Sequence, residues 1–209
     1  MLTLRNYSKS FNDRLILKID NLTFKPGAYW IKGDNGSGKS TLFKCLAGIL
    51  PCQGDITFVD DVDIRKNPVE FRKRINYSEA EPQYPGFLTA KDIFKFIAKI
   101  KGASQDEQAD YVQLFGLTSF FENPCETYSS GMIKKLGLAL AFLGKPKVII
   151  LDEPLITLDQ QAREILFGFI RKKIEENITL LISSHHSIAL NDFKINDAYL
   201  VENKTLNLL

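Results

Sequence analysis

The sequence predicts an α/β protein: a mostly parallel sheet core, an all-helical lobe inserted into it, and an antiparallel β portion at the N-terminus. Three observations lead there. Strand patterns alternate with helical patterns at both ends of the chain, the arrangement that builds parallel sheets. The stretch from about Pro82 to Lys145 carries helical patterns alone. The opening "MLTLRNYSKSF" alternates polar and apolar side chains ahead of a turn, as one strand of a half-buried hairpin does.

Taken in order, residues 2–5 and 15–24 read as short strands joined around Asn12 and Asp13. "AYWIKG" (Ala28 to Gly33) is an apolar strand that runs straight into glycines, and "STLFKCLAGIL" is a helix ended by Gly48 and Pro51. "GDITFVDDVDI" is a strand and turn, and "EFRKRINYS" a helix feeding a strand. In the lobe, "TAKDIFKFIAKIKG" places Ile93, Phe96, Ile97 and Ile100 on one helical face, with Thr89 or Asp92 near its start. "DEQADYVQLFGL" and "GMIKKLGLALAFLG" are further helices. "KVIILDEP" and "TLLISSH" are buried strands, and "DAYLVENKTLNLL" a terminal hairpin. The expected organisation is one domain over 1–209, its core formed by 1–81 and 146–209 and its helical lobe by 82–145.

Composition sets limits on function. The 209 residues are 44% hydrophobic and 25% charged, a soluble globular balance able to fill a sizeable core. A net charge of +2 gives no reason to expect nucleic acid or an anionic lipid surface, and the Arg72 to Arg74 cluster reads as a solvated helix face. Cys45, Cys52 and Cys125 have neither paired nor metal-ligand spacing, which favours a reducing cytoplasm. No signal-peptide core is present, and no apolar run approaches the roughly 18 residues that span a bilayer.

The chemistry begins at Gly33-Asp34-Asn35-Gly36-Ser37-Gly38-Lys39-Ser40-Thr41, which fits G-x-x-x-x-G-K-[ST] between a strand and a helix. Glycines let consecutive backbone N–H groups turn toward phosphate oxygens, and the helix start adds its positive end. Lys39 reaches the β- and γ-phosphates, and the Ser40 hydroxyl suits Mg²⁺. This makes the core a P-loop NTPase-type sheet with a place for a nucleotide's phosphate chain and Mg²⁺. "VIILDE" supplies the carboxylates such a site needs at a neighbouring strand tip: Asp152 for the metal, Glu153 to orient and deprotonate a water.

With these residues in hand the chain resembles the ATP-binding subunit of ATP-binding cassette (ABC) transporters, from about Leu2 to Leu206. "YSSGM" (Tyr128 to Met132) stands where that family has its L-S-G-G-Q signature, "ILDEPLITLD" ends at the D-loop Asp159, and "LISSH" leads to the switch histidine His185. Phe11 in "KSF" occupies the place of the aromatic ring that stacks on adenine. The resemblance implies a head-to-tail pair of copies. Each ATP then lies between one copy's loop (Asn35, Gly36, Ser37, Gly38, Lys39, Ser40, Thr41) and the other's Ser129, Ser130 and Gly131. It implies catalytic roles for Glu153, His185 and Lys39, and magnesium on Ser40 and Asp152. It also implies an integral-membrane partner docking near residues 78–100, and residence in the cytoplasm on the inner face of the membrane.

The chain departs from the pattern where the family carries a glutamine after "INY": Ala80 falls there, with Glu79, Glu81 or Gln83 as neighbours and Glu81 the preferred substitute. Ser130 replaces a signature glycine and Met132 its glutamine. Two other readings compete. A soluble cassette ATPase acting on nucleic acid or ribosomes sits poorly with the small charge, the single cassette and the absence of a long coiled coil. A P-loop small-molecule kinase leaves "YSSGM" and the Glu153–His185 pairing unexplained.

Overall fold

β1 (Leu2–Phe11) and β2 (Arg14–Phe24) pair antiparallel across a tight turn with Asn12 at φ +50°. The computed structural model describes residues 1–184 and 193–209. β1 runs well past the expected 2–5 because Asn6, at φ +51°, absorbs a bulge. The buried positions shift phase there, from Leu2 and Leu4 to Tyr7 and Lys9, so strict alternation is lost while the strand continues. β4 (Gln53–Phe58) closes this sheet on the other edge of β1.

The main sheet holds β3 (Gly27–Lys32), β5 (Ile75–Ser78), β6 (Val148–Leu151), β7 (Thr179–Ser183), β8 (Ile195–Glu202) and β9 (Thr205–Leu208). Its order is β5-β6-β7-β3-β8-β9, parallel except for the β8–β9 hairpin. That hairpin turns on Asn203 and Lys204, both at positive φ, the conformation a two-residue turn needs to match strand twist. The helices are α1 (Lys39–Leu46), α2 (Pro68–Lys73), α3 (Ala90–Lys101), α4 (Gln105–Leu114), α5 (Ser130–Phe142) and α6 (Gln160–Glu175), with a 3-10 turn at Cys125–Thr127. The predicted α/β class, with a mostly parallel core and an antiparallel β portion, is what the chain adopts.

Both faces of the sheet are covered, which is why its central strands read as unbroken apolar runs. Along β3, Tyr29 and Ile31 face α1 and the antiparallel sheet, packing with Leu42, Phe43, Leu46 and Phe24. Ala28 and Trp30 face the other way, into a core that continues through Ile149, Leu151 and Leu180 to Phe94, Tyr111, Phe115 and Phe142 of residues 90–142. Phe169 of α6 ties this core together, its ring 5.0, 4.8 and 5.2 Å from those of Tyr111, Phe115 and Phe142. Each such side chain contributes about 1.5–3 kcal/mol by burial, so the helical segment is bonded to the sheet through shared core.

Two expectations need correction. On α3 the core takes Ala90, Ile93, Phe94 and Ala98, with Ile97 half-buried, while Phe96 and Ile100 are exposed. Apolar residues wrap more than half of that helix, and the core covers only one flank of the stripe. The Arg72 to Arg74 cluster is only partly solvated: Arg74 bonds Asp60 and Glu70 and lies over the Phe58 ring.

Candidate functional site

The phosphate loop links the buried strand β3 to α1. Gly38, the N-cap of α1, sits at φ +111°, where a side chain is strained and a Cβ would also meet Ile16 Cγ2 at 3.1 Å. Ser37 N donates to Asp34 O at 3.1 Å, closing the turn. Lys39 is buried, and its ammonium folds back to donate to Gly33 O at 2.7 Å and Asp34 O at 3.1 Å. Burial pulls its pKa down, against the opposing pull of the Glu153 and Asp152 carboxylates. A cavity of about 340 Å³ opens over the loop, lined by Asn35 to Thr41 together with Ile16, Ala80, Glu81, Glu153 and Ile156.

β6 delivers the acidic pair. Asp152, 1% exposed, receives a hydrogen bond on Oδ1 from Ser183 Oγ at 2.6 Å, and Ser183 Oγ in turn accepts from Glu153 N at 2.8 Å. A buried serine thus fixes both members of the pair, one through its carboxylate and one through its backbone. Glu153 itself is held at φ +45°, a conformation costing about 1 kcal/mol or more outside glycine, and it lines the loop cavity. The Tyr77 hydroxyl approaches Asp152 Oδ2 at 3.4 Å, and burial with that carboxylate raises its pKa.

A second cavity of about 430 Å³ adjoins the first, lined by Ser40, Lys44, Tyr77, Glu79, Ala80, Glu81, Gln83 and Asp152. Ser40 and Asp152, predicted to share a metal, therefore face one space. No group of three or more His, Cys, Asp or Glu suited to a metal occurs among the described residues. One hydroxyl and one carboxylate, both hard oxygen donors, fit Mg²⁺ held largely by nucleotide oxygens and water. Glu81, the proposed stand-in for the absent glutamine, lines both cavities, and Glu79 is drawn into an ion pair with Lys44 at 3.1 Å.

The signature opens on a neighbouring space: Ser130 lines a cavity of about 310 Å³ that shares Ala80, Glu81 and Ile156 with the one over the loop. Ser129 caps α5, accepting from Met132 N at 3.3 Å, and Ser129 and Ser130 are exposed. Neither Ser129 nor Gly131 lines the cavity over the loop. Asp159 caps α6 and accepts from Ala162 N at 2.7 Å; that bond, and Lys135 of α5 at 2.9 Å, hold its carboxyl below the usual range. Phe11 is 47% exposed under the Lys9 ammonium, 4.5 Å from its ring centre, and Ile16 of the same hairpin, not Phe11, reaches the cavity wall. His185 lies outside the described residues, immediately after the buried Ser184.

Sequence reasoning missed Ser183, Tyr77 and Lys134. Lys134 is 2% exposed and donates to Glu79 O, Ala80 O and Asp152 O, and burial pushes its pKa down to about 8. Its phase on α5, in line with Gly137, Leu138 and Ala141, marks a lysine on a buried stripe and was the available signal.

A model of the family described as "ABC transporter" matches residues 17–156. The chain belongs to the ABC transporter family. A model described as "AAA domain, putative AbiEii toxin, Type IV TA system" matches residues 123–191, overlapping the first over 123–156. This ABC subunit is 34% identical over 191 residues to the lantibiotic transport ATP-binding protein SrtF of Streptococcus pyogenes, covering 88% of this chain and 80% of SrtF. It is 32% identical over 196 residues to the ABC transporter ATP-binding protein NatA of Bacillus subtilis, covering 88% and 79%. Among solved structures, an ATP-binding subunit of an ABC transporter shares the fold at TM-score 0.89 and 22% identity, over 100% of this chain and 90% of that one. A dimeric ATP-binding cassette in a post-hydrolysis state with ADP and Pi matches at TM-score 0.80 and 20% identity, over 99% and 96%. The protein is the ATP-binding subunit of an ABC transporter, and among its described residues no helix is long and apolar enough to cross a membrane.

Proposed function

We propose that two copies of this subunit close head to tail on two ATP molecules, hydrolyse them, and thereby drive a separate membrane-spanning subunit that holds the pair at the cytoplasmic face of the membrane. One observation carries the reading. The cavity over the phosphate loop contains Lys39, Ser40, Glu81 and Glu153, yet the exposed Ser129 and the half-buried Gly131 at the start of α5 stand outside it. Each chain carries a nucleotide cavity and a separate helix N-terminus suited to phosphate, so two chains complete what one leaves open.

In this reading Lys39 leaves its loop carbonyls for the β- and γ-phosphates, and residues 35–41 present their N–H groups to the rest of the chain of phosphates. Ser40 and Asp152 would hold Mg²⁺, which would supply neutralisation of charge on the phosphate oxygens. Glu153 accepts the proton of the water that attacks the γ-phosphorus, the bond to the β–γ bridging oxygen breaks, and ADP and phosphate leave. His185 orients that water, Phe11 lies against adenine, and Asp159 meets the partner copy. Loss of the γ-phosphate releases the partner's Ser129, Ser130 and Gly131, so hydrolysis opens the pair.

The membrane subunit's short helix docks between core and lobe. A cavity of about 310 Å³ lies there, lined in part by Ile49, Arg72, Gln83, Tyr84 and Lys101. Exposed Ile49 at its wall, and exposed Phe87 three residues along the chain from Tyr84, supply apolar anchors. Purified protein is expected to hydrolyse ATP without an acceptor, Glu153→Gln to accumulate an ATP-bound dimer on a sizing column, and Lys39→Ala to abolish turnover. A Glu153→Gln chain that stays monomeric in saturating Mg-ATP would overturn the reading.

A further inference from the structure

Lys134 is the most buried lysine among the described residues, and its three carbonyl partners match its three N–H donors: Ala80 O at 2.9 Å, Glu79 O at 3.1 Å and Asp152 O at 3.2 Å. No ion pair accompanies it among the described residues. Its direct partners are neutral oxygens, while the Asp152, Glu153 and Glu81 carboxylates attract it from further away without offsetting its burial; that desolvation is a cost a methionine of similar length would not carry, so packing alone gives no reason for a lysine here. What the ammonium gains is a grip on backbone. It joins the second turn of α5 to residues 79 and 80 and to the end of β6.

One turn further on, α5 touches the same segment again. At Gly137 an added Cβ would stand 2.9 Å from Pro82 Cγ and 3.3 Å from the Tyr84 hydroxyl. Residues 79–84 therefore lie on α5 at two points, an ionic one and a close-packed one. The segment carries Glu81, which lines both cavities, and it contains Ala80, where no side chain can ligate anything.

We infer that Lys134 is a positioning residue that fixes residues 79–81 to the signature helix, so that the wall of a chain's own ATP cavity moves as one body with the Ser129–Gly131 contact offered to the partner's ATP. This rests on the head-to-tail reading above. Backbone gripped from α5 fixes this segment at the point where position 80 has no ligating side chain to anchor it.

The test uses full-length protein and three variants. Lys134→Met keeps the volume and removes the donors; Gly137→Ala pushes Pro82 away; Lys91→Met, in an exposed pair with Glu122 on the same lobe, is the control. Steady-state hydrolysis is measured against ATP concentration, together with binding of a fluorescent ATP analogue and the melting temperature. The first two variants are expected to lose about tenfold or more in kcat and to bring the Hill coefficient toward one. Their nucleotide affinity stays within about threefold, a split that general destabilisation does not produce. If Lys134→Met fails to fold, Gly137→Ala decides. Folded variants that keep kcat and cooperativity within about twofold of wild type overturn the inference alone. Absence of turnover in the wild-type protein would instead overturn the hydrolysis reading beneath it.

Discussion

At the residue scale, the site is a set of backbone problems solved by single side chains. Glu153 occupies the left-handed region, and its backbone N–H donates to the buried Ser183 Oγ at 2.8 Å. Ser183→Ala is therefore expected to cost about 1–3 kcal/mol in urea unfolding, since the donor stays buried while its acceptor disappears. It should also lower kcat by about tenfold, through a displaced Glu153 and a less constrained Asp152 carboxylate. A Ser183→Ala protein as stable and as fast as wild type would show that the relay has no role. The loop residues and the Asp152–Glu153 pair were legible in the sequence, because their chemistry is set by neighbours along the chain. Ser183 was not, because it meets Asp152 across 31 positions. Lys134 meets Ala80 across 54, and nothing local to either signals the contact.

At the element scale, pattern reading located strands and helices wherever one face dominates and erred where two compete. β1 was cut short because a bulge at Asn6 shifts its alternation, and the face of α3 was misassigned because its apolar stripe is wider than the core it meets. The C-terminal end of α3 shows a further device. Lys101 donates to Arg72 O at 2.6 Å and Ile75 O at 2.7 Å, pinning the lobe to the start of β5. Burial pushes its pKa from 10.5 down to about 8. The folded chain thus sheds this proton first, and between about pH 8 and 10.5 the unfolded chain binds more protons, so stability rises with pH in that window. Wild type is expected to gain on the order of 1 kcal/mol over Lys101→Met between about pH 7.5 and 9.5, measured by denaturant unfolding. An unchanged difference would mean that Lys101 keeps its proton.

At the scale of the whole molecule, the proposed head-to-tail arrangement makes the working unit larger than the chain. In a head-to-tail pair, a defect in the loop and a defect in the signature fall on the same composite site when they come from different chains. A mixture of Lys39→Ala and Ser129→Arg proteins, each inactive by itself, is expected to regain a measurable fraction of wild-type ATPase activity, because the mixed dimer retains one intact site. No recovery at any mixing ratio would argue that each chain completes its own site.

By itself the sequence determined the class of fold, the phosphate loop, the acidic pair and the order of motifs, since each depends on residues a few positions apart or on a hydrophobic period. Only the tertiary structure decided which groups hold them. The serine under the acidic pair, the lysine beneath residues 79–80 and the isoleucine at the cavity wall are brought together by parallel strand pairing and helix packing. Such contacts join segments far apart in the chain, and no local propensity encodes them.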